Sequence, residues 1–507
     1  MLTVTCLSVI VVSLDLTILN IALPAISAAL HAGTGDLQWL VDAYALVFAG
    51  IMLPAGVIGD RLGRKRLLLA GLAVFLAASL WCALSVSAAE LIAARAVMGL
   101  GAGIVFPLSL AVVSAGFGDE DRPKAIGILT AAVALGLPAG PVLGGLLLQH
   151  FSWHSVFWIN VPPACATLAA GAALMPESRS PAARPLDALG ALLPAAAVTC
   201  LVWGFINGQE HGWTALSTWM LLAGSAVLLG SFLAREHRSP SPVIDPALLR
   251  DKRFTWGTAA TVAVSVALYG ILFVTPQYLQ SVLGDDPISA GLRLLPMMGG
   301  LLVAGGTAGQ VVRAAGTRLT VAAGLALLAG GLALLSQVHL ATGYAVVAAG
   351  LALCGLGTGA SMSAAIDAVM AAAGGGEAGV GASVNSALRQ VGGAIAVAVL
   401  GSALSAGYTS ALGPALSALP AREAAIARAS ITQAAGLASR LPSGAALQAA
   451  AGTAFLHGMS IVMLICAGVA ALAALTTLRY LPGRAASGGT AAPRPPATAA
   501  PSAGTRR

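Results

Sequence analysis

Charged side chains are scarce in this chain of 507 residues, because Asp, Glu, Lys and Arg together make up 9% of it. Aromatic residues are also few, at 5%, whereas hydrophobic residues of all kinds reach 58% and the mean hydropathy is +0.89. Soluble domains need a charged surface around each core, and no stretch of this chain is long and polar enough to form one. The scarcity of charge therefore excludes a series of soluble domains and indicates an integral membrane protein.

Several motifs with specific chemistry are missing as well. The chain has no P-loop sequence that would bind the phosphates of ATP, and its six cysteines include no CxxC pair. His150 and His154 have a metal-like spacing but no third ligand nearby, and the apolar runs hold no nucleophile with a neighbouring base. We therefore predict no metal, no cofactor and no enzymatic activity. The net charge of +7 lies at the ends of apolar runs, which argues against a nucleic-acid partner.

Apolar runs long enough to cross a membrane recur from one end of the chain to the other. A helix needs about 20 apolar residues to cross the hydrocarbon core of a bilayer. The runs lie at 3–28, 37–58, 67–86, 88–115, 126–149, 155–175, 186–206, 216–234, 255–280, 291–312, 319–337, 343–370, 383–405 and 454–480. The sequence therefore predicts an all-α integral membrane protein with about fourteen transmembrane helices.

A basic turn between the second and third runs sets the predicted orientation. Its sequence from Gly59 to Arg66 is GDRLGRKR, which holds four cations between two apolar runs. Lys and Arg collect in cytoplasmic loops, so we place this turn in the cytoplasm. With that choice, 20 Lys and Arg residues lie in inward segments and four lie in outward ones. We therefore expect both termini to be cytoplasmic, in a protein of the cell membrane.

A polar, Pro-containing segment at 235–254 divides the chain. Its composition is typical of a surface linker between two helical bundles. The predicted order is a six-helix bundle at 1–180, two extra transmembrane helices at 181–234, the linker at 235–254, a second six-helix bundle at 255–482 and a disordered cytoplasmic tail at 483–507. The outward stretch 406–452 is expected to carry a short surface helix.

Three ionisable residues lie within the apolar runs of the first half. Asp15 is near the middle of the first run, where a carboxylate is costly unless it faces a cavity or a partner, so we predict a functional role. A structural carboxyl that bonds a neighbouring helix is the alternative. Asp42 and Arg95 lie at similar depths in the second and fourth runs, and they could form a structural ion pair or compete for one proton. Asp15, Asp42 and Arg95 are thus the candidates for proton coupling and substrate binding.

Glycines recur in the fifth run at intervals of four. Gly136, Gly140 and Gly144 share one helical face, on which a neighbouring helix can approach closely. Pro141 removes a backbone hydrogen bond and favours a kink. A packing face of small residues explains the spacing without any further function, and the proline makes the pattern more specific. The complete pattern consists of Gly127, Gly136, Gly140, Pro141, Gly144 and Gly145.

Five sequence patterns occur in a fixed order along the chain. They are Leu14–Pro24, Gly56 with the basic turn, Arg95 with Gly99 and Gly103, the glycines and proline of the fifth run, and Trp153 followed by Phe157–Pro162. Together they resemble the fourteen-span drug:proton antiporters of the major facilitator superfamily, the EmrB/QacA group. The resemblance covers nearly the whole chain.

This resemblance implies two six-helix bundles, with two helices between them, around a cavity that opens alternately to either side of the bilayer. It implies export of a small molecule of cationic or lipophilic character, in exchange for protons, by a monomer without cofactors. An exporter of a single metabolite or a self-made antibiotic is the alternative. The fifth-run pattern would be the antiporter motif, and Arg95 would help to gate proton release. The implied cytoplasmic gate consists of Gly56, Asp60, Arg61, Gly63, Arg64, Lys65 and Arg66.

Overall fold

The computed structural model describes residues 1–117, 122–178, 188–238, 250–416, 419–439, 441 and 444–482. Within these ranges some helical positions are described only as backbone, among them Asp60, Gly127 and 373–383. All regular elements among the described residues are helical. The predicted tail at 483–507 lies outside the described residues, as does most of the predicted linker.

The helices follow one another with short connections. The first nine are α1 Leu2–Leu30, α2 Thr34–Leu62, α3 Arg64–Leu84, α4 Ala88–Gly116, α5 Arg122–His150, α6 Ser155–Trp158, α7 Val161–Leu174, α8 Ala188–His211 and α9 Leu216–Arg238. After the linker come α10 Lys252–Gln277, a π-helical turn Tyr278–Val282, α11 Pro287–Arg293, α12 Leu295–Ala315, α13 Thr317–Leu335, α14 Tyr344–Leu416, α15 Ala421–Ala429, α16 Ile431–Ala438 and α17 Gly444–Tyr480.

Most of these helices are long and apolar enough to cross a membrane. Eleven segments of the described residues meet that requirement, and each coincides with one of the predicted apolar runs. The other three predicted runs lie on α2, α5 and α8. Helices α2 and α5 have 29 residues each, and α8 contains the shorter apolar stretch Leu192–Gly208. The prediction of an all-helical, multi-span membrane protein is confirmed. The count of fourteen stays a prediction.

Helix α14 contains two of the eleven segments, Tyr344–Ala372 and Val384–Gly413. Glycines of the first segment lie against the backbone of α12 and α13. The second segment lies against α10 and also against α2, whose Gln38 donates from Nε2 to Ala398 O at 2.9 Å. The second segment therefore links the two halves of the chain.

Two groups of helices form the molecule. Helices α1 to α7 pack on one another, α10 to α17 pack on one another, and α8 and α9 pair beside α2 and α14. We call the end of the molecule that carries the α1–α2 connection the Gly33 end, and the opposite end, which carries the α2–α3 connection, the Gly63 end.

The two groups meet at the Gly33 end. Ser27 Oγ lies 3.4 Å from Ser430 Oγ, and Gln280 donates from Nε2 to Ile21 O at 2.9 Å. Ser430 lies between α15 and α16, two short helices in the stretch for which we predicted one. Six hydrogen bonds join the two groups in the half of the molecule nearer the Gly33 end. The structure is therefore closed at its Gly33 end.

Candidate substrate and proton site

A buried ion pair joins α1 to α4. Arg95 Nη1 lies 2.6 Å from Asp15 Oδ2, and both side chains are almost completely shielded from solvent. Arg95, Gly99 and Gly103 are spaced by four residues, so they share a face of α4, and the two glycines let α2 approach closely. A charge-assisted hydrogen bond at this distance holds both groups in place.

Helix α2 holds the arginine on its other side. Arg95 Nε donates to Leu40 O at 3.2 Å, and the guanidinium carbon lies 4.2 Å from the centre of the Tyr44 ring. The suggestion that Asp42 pairs with Arg95 is therefore wrong for this structure. Leu40 O and Tyr44 hold the guanidinium on the face of α2 that meets α4, and Asp15 is the carboxylate within reach.

Two further polar groups complete the environment of Asp15. Asn160 donates from Nδ2 to Asp15 Oδ1 at 3.3 Å and also lies 3.3 Å from Ser79 Oγ. Ser79 donates to Phe157 O at 2.8 Å, which fixes the turn between α6 and α7 beside α3. Each oxygen of Asp15 therefore has a donor. Side chains of α1, α4 and the α6–α7 connection meet at this carboxylate, and α3 joins them through Ser79 and Asn160.

Asp42 has the opposite environment. Its side chain is completely buried, and neither carboxyl oxygen has a hydrogen-bond partner among the described residues. It follows Gln38 by one helical turn on α2, the helix that contacts the second segment of α14. An ionised carboxylate is very unfavourable in such a place without a cation or a donor. Because both of its oxygens lack a partner, Asp42 is the acidic group in this region that can bind a proton or a cationic ligand.

The glycines of α5 pack against α1 beside the ion pair. A methyl group added to Gly140 would lie 2.8 Å from Ile18 N and 3.0 Å from Leu14 O, and one added to Gly136 would lie 2.9 Å from Ile10 O. Gly144 faces the side chains of Ile18 and Ile21 in the same way. Such distances leave no room for a side chain, so α1 and α5 are in backbone contact on both sides of Asp15 in the sequence.

The part of the same pattern nearer the Gly33 end contacts the other group of helices. A methyl group on Gly145 would lie 2.5 Å from Pro287 O, and one on Gly291 would lie 2.5 Å from Pro141 O. Helix α5 therefore touches α1 through three glycines and α11 through Pro141 and Gly145. Gly127 belongs to α5 and is described only as backbone.

The basic turn is held by a carboxylate that sequence reasoning missed. Glu177 accepts hydrogen bonds from Lys65 N at 3.1 Å and Arg66 N at 3.3 Å, and Arg66 Nε lies 3.6 Å from the same side chain. A carboxylate at the start of α3 stabilises the exposed N–H groups of its first turn. Gly63, between α2 and α3, has φ 118°, a conformation in which a residue with a side chain would be strained.

The cations of the turn reach towards helix ends. Lys65 donates from Nζ to Ala172 O at 2.8 Å near the end of α7, and Arg64 Nη1 lies 3.5 Å from Ala111 O near the end of α4. Arg61 is exposed, and a methyl group on Gly56 would meet nothing within 4 Å. The Asp60 side chain, predicted to act in the gate, lies outside the described residues.

Sequence reasoning gave no role to four residues that the structure places in or near this site. Asn160 and Ser79 bind the Asp15 region, Tyr44 stacks on Arg95, and Tyr269 of α10 donates to Gln390 of α14. Asn160 belongs to the Phe157–Pro162 pattern, which offered a signal. Asp15 was selected because a polar group within an apolar run is a functional candidate. Hydroxyl and amide groups are common in helices, so this rule alone does not distinguish these four residues from the other polar residues of the spans.

Comparison with known proteins places these observations in context. A model of the Major Facilitator Superfamily matches residues 5–397. The chain is 35% identical to the multidrug resistance protein Stp of Mycobacterium tuberculosis over 80% of this chain and 76% of that protein. It is 34% identical to the tetracenomycin C resistance and export protein of Streptomyces glaucescens, over 78% and 73% of the two chains. It is also 33% identical to the methyl viologen resistance protein SmvA of Salmonella typhimurium, over 89% and 92%.

Solved structures resemble the fold. A bacterial homologue of the human lysosomal transporter Spinster, in an inward-facing and occupied conformation, matches with a TM-score of 0.64 at 16% identity and covers 94% of this chain and 96% of its own. The xylose transporter XylE from Escherichia coli, in a partially occluded inward-open conformation, gives 0.60 at 13% identity, with 95% and 97% covered. At these identities the likeness concerns the fold.

Proposed function

Because the chain belongs to the Major Facilitator Superfamily, it is a multi-pass membrane transporter of small molecules and not an enzyme, and we propose that it exports drugs or antibiotics in exchange for protons. Export is supported by the relatives, which are named as resistance, efflux or export proteins. Proton coupling is supported by one observation above all, the buried and unpartnered carboxyl group of Asp42.

We also propose the finer features that the sequence predicts. The chain would have fourteen spans, as in the EmrB/QacA group, with bundles at 1–180 and 255–482 and two extra helices at 181–234 between them. It would function as a monomer in the cytoplasmic membrane, with both termini in the cytoplasm. The distribution of Lys and Arg supports this orientation, because 20 of them would then lie on the cytoplasmic side.

Asp42 would carry the exchanged proton. A carboxyl group without a cation or donor is more stable in its neutral form, so Asp42 would be protonated in the conformation described here. A cationic substrate that reaches Asp42 stabilises the carboxylate and displaces the proton. Since proton and substrate then exclude each other at one group, binding of one is linked to release of the other.

The Asp15–Arg95 pair would link this exchange to the helices that move. Arg95 touches α1 through Asp15 and α2 through Leu40 and Tyr44. Asp42 lies two residues after Leu40 on α2. A shift of α2 on substrate binding would therefore also move the α2 groups that hold the guanidinium. Asp15 and Arg95 would thereby couple the protonation of Asp42 to the arrangement of α1, α2 and α4.

The closed Gly33 end would be the outer end of the transporter. With the basic turn in the cytoplasm, the structure then corresponds to a state that is closed to the outside. Export requires the contacts of Ser27 with Ser430 and of Pro141 with Gly291 to separate, while a gate forms at the Gly63 end. The basic turn, through Arg64, Lys65 and Asp60, would form that gate.

An exporter of one self-made antibiotic is the second candidate. The observation that favours it is the 34% identity to the tetracenomycin C resistance and export protein. Both candidates share the mechanism above and differ in the breadth of their substrates.

Expression in a host that lacks its own drug pumps tests the proposal. The chain should raise resistance to several compounds, and vesicles that contain it should move protons when a substrate is added. The Asp42→Asn variant, expressed at the same level, should do neither. Resistance to a single compound would favour the dedicated exporter, and resistance without proton movement would refute the coupling.

A further inference from the structure

Polar side chains form a ladder between α10 and the second segment of α14. Thr261 donates to Asn385 Oδ1 at 2.7 Å, Arg389 Nε donates to Ser265 Oγ at 3.3 Å, and Tyr269 donates to Gln390 Oε1 at 2.7 Å. Arg389 is the middle step of this ladder. Ionisable groups within a span face protein or a water-filled cavity rather than lipid, so the ladder faces the interior of the molecule.

One buried donor of the ladder has no acceptor, and the neighbouring guanidinium has no carboxylate beside it. Arg389 uses Nε, and no carboxylate of the described residues lies within 4.0 Å of its guanidinium. Gln390 is 8% exposed, and its Nε2 lacks a partner among the described residues. A buried donor without an acceptor is costly, and guanidinium N–H groups match carboxylates and related anions in geometry. The guanidinium of Arg389 and the amide of Gln390 could therefore bind an anionic group or another strong hydrogen-bond acceptor.

The facing helix of the other group offers the complementary chemistry. Asp42 on α2 has two oxygens without donors. The ring of Tyr269 packs against Gly393 of α14. Gln38, one helical turn before Asp42, donates to the same segment of α14. Asp42 and Arg389 do not form an ion pair with each other in this structure. A carboxyl group without donors thus lies on the helix that packs beside the segment of α14 with the unpartnered amide and the guanidinium.

We propose that Arg389 and Gln390 form an anion subsite for the exported substrate, opposite the cation subsite at Asp42. The inference rests on the proposed export function and specifies its substrate class. The favoured substrates carry a basic group and a carboxylate or acidic phenol on one scaffold, so that the basic group reaches Asp42 while the acid binds Arg389. Tyr269, whose hydroxyl donates to Gln390, can contact the body of the substrate.

Matched pairs of an acid and its ester test the subsite. Norfloxacin and its ethyl ester, and rhodamine B and its ethyl ester, differ in the carboxylate and keep the basic part. Their binding to the purified full-length protein in detergent is measured by fluorescence. Arg389→Met should weaken binding of both acids by about tenfold, the effect of losing a hydrogen bond to a charged group, and should leave the esters nearly unchanged. Arg389→Lys should lose less, because it keeps the charge.

Three further variants make the result specific. Gln390→Leu should weaken the acids in the same direction by a smaller factor, and it serves if Arg389→Met does not fold. Asp42→Asn should weaken the acid and the ester alike, because both carry the basic group. Arg422→Met, which removes an exposed arginine of α15, should change neither. Retained ester binding shows that a variant is folded.

Four results would overturn the inference. Two concern the variant: Arg389→Met weakens binding of acid and ester equally, or it weakens neither. Two concern the wild type: it binds the esters but neither acid, or it binds none of the four compounds. A chain that binds the esters and confers resistance without binding the acids keeps the export function and loses this subsite. A wild type that confers no resistance at all refutes the export function itself.

Discussion

The Asp15–Arg95 ion pair permits a quantitative prediction. Asp15→Asn leaves a guanidinium buried without its counter-charge, and Arg95→Met leaves a carboxylate with Asn160 as its remaining donor. Breaking one side of a buried ion pair costs about 3–5 kcal/mol. Replacement of both partners leaves no buried charge, so the double variant should be more stable than the sum of the two single effects predicts.

The coupling energy is the quantity to measure. If the two side chains interact as the 2.6 Å contact indicates, the double-mutant cycle should give a coupling of roughly 2 kcal/mol or more. Unfolding in detergent can be followed by the fluorescence of the eight tryptophans. Asp42→Asn is the matched control, because it removes a carboxylate that has no partner, and it should cost little.

The outcome distinguishes the two views of Asp15. If the changes in unfolding free energy of the two single variants add up to that of the double variant within about 0.5 kcal/mol, the two side chains do not act as a unit. All three variants that change the pair should lose transport, including a double variant that is well folded, because the link between α1, α2 and α4 is gone. Transport by the folded double variant would show that the pair is structural.

Three more predictions concern the moving parts. Gly140→Leu should stop transport and largely keep ligand binding, because its side chain would meet the backbone of α1, whereas Gly306→Leu, at an exposed glycine with open space, should transport normally. A Ser27→Cys, Ser430→Cys double variant should lose export on oxidation and regain it on reduction, because the two oxygens are 3.4 Å apart; unchanged export by the cross-linked protein would contradict closure of the Gly33 end. Asp60→Asn should impair efflux at normal membrane insertion, since topology depends on Lys and Arg; normal efflux at equal expression would remove Asp60 from the gate.

The apolar runs predicted most of the fold because span length is set by the thickness of the bilayer. The four-residue spacing of Gly136, Gly140 and Gly144 indicated a close helix contact, and the structure supplied α1 as the partner. The spacing alone does not identify which helix approaches, because every span in a bundle is apolar on most sides.

The partners of the charged residues were harder to predict. Depth in the membrane suggested Asp42 as a partner of Arg95, but depth leaves the rotation of each helix open, and the face of α4 that carries Gly99 turns Arg95 towards Asp15. Glu177 was missed because a carboxylate in a loop has no periodicity. The ladder from Thr261 to Gln390 joins residues about 120 positions apart, and a single sequence does not reveal such pairs.

Ligand-induced proton release tests the central claim most directly. Purified protein in weakly buffered detergent solution receives a cationic substrate that the resistance panel has identified, and the pH of the solution is recorded. The account predicts proton release by the wild type, none by Asp42→Asn, and impaired release by Asp15→Asn. Glu423→Gln, outside the spans, should behave as the wild type. Undiminished proton release by Asp42→Asn, with binding of the substrate intact, would contradict the claim that proton and substrate exclude each other at Asp42.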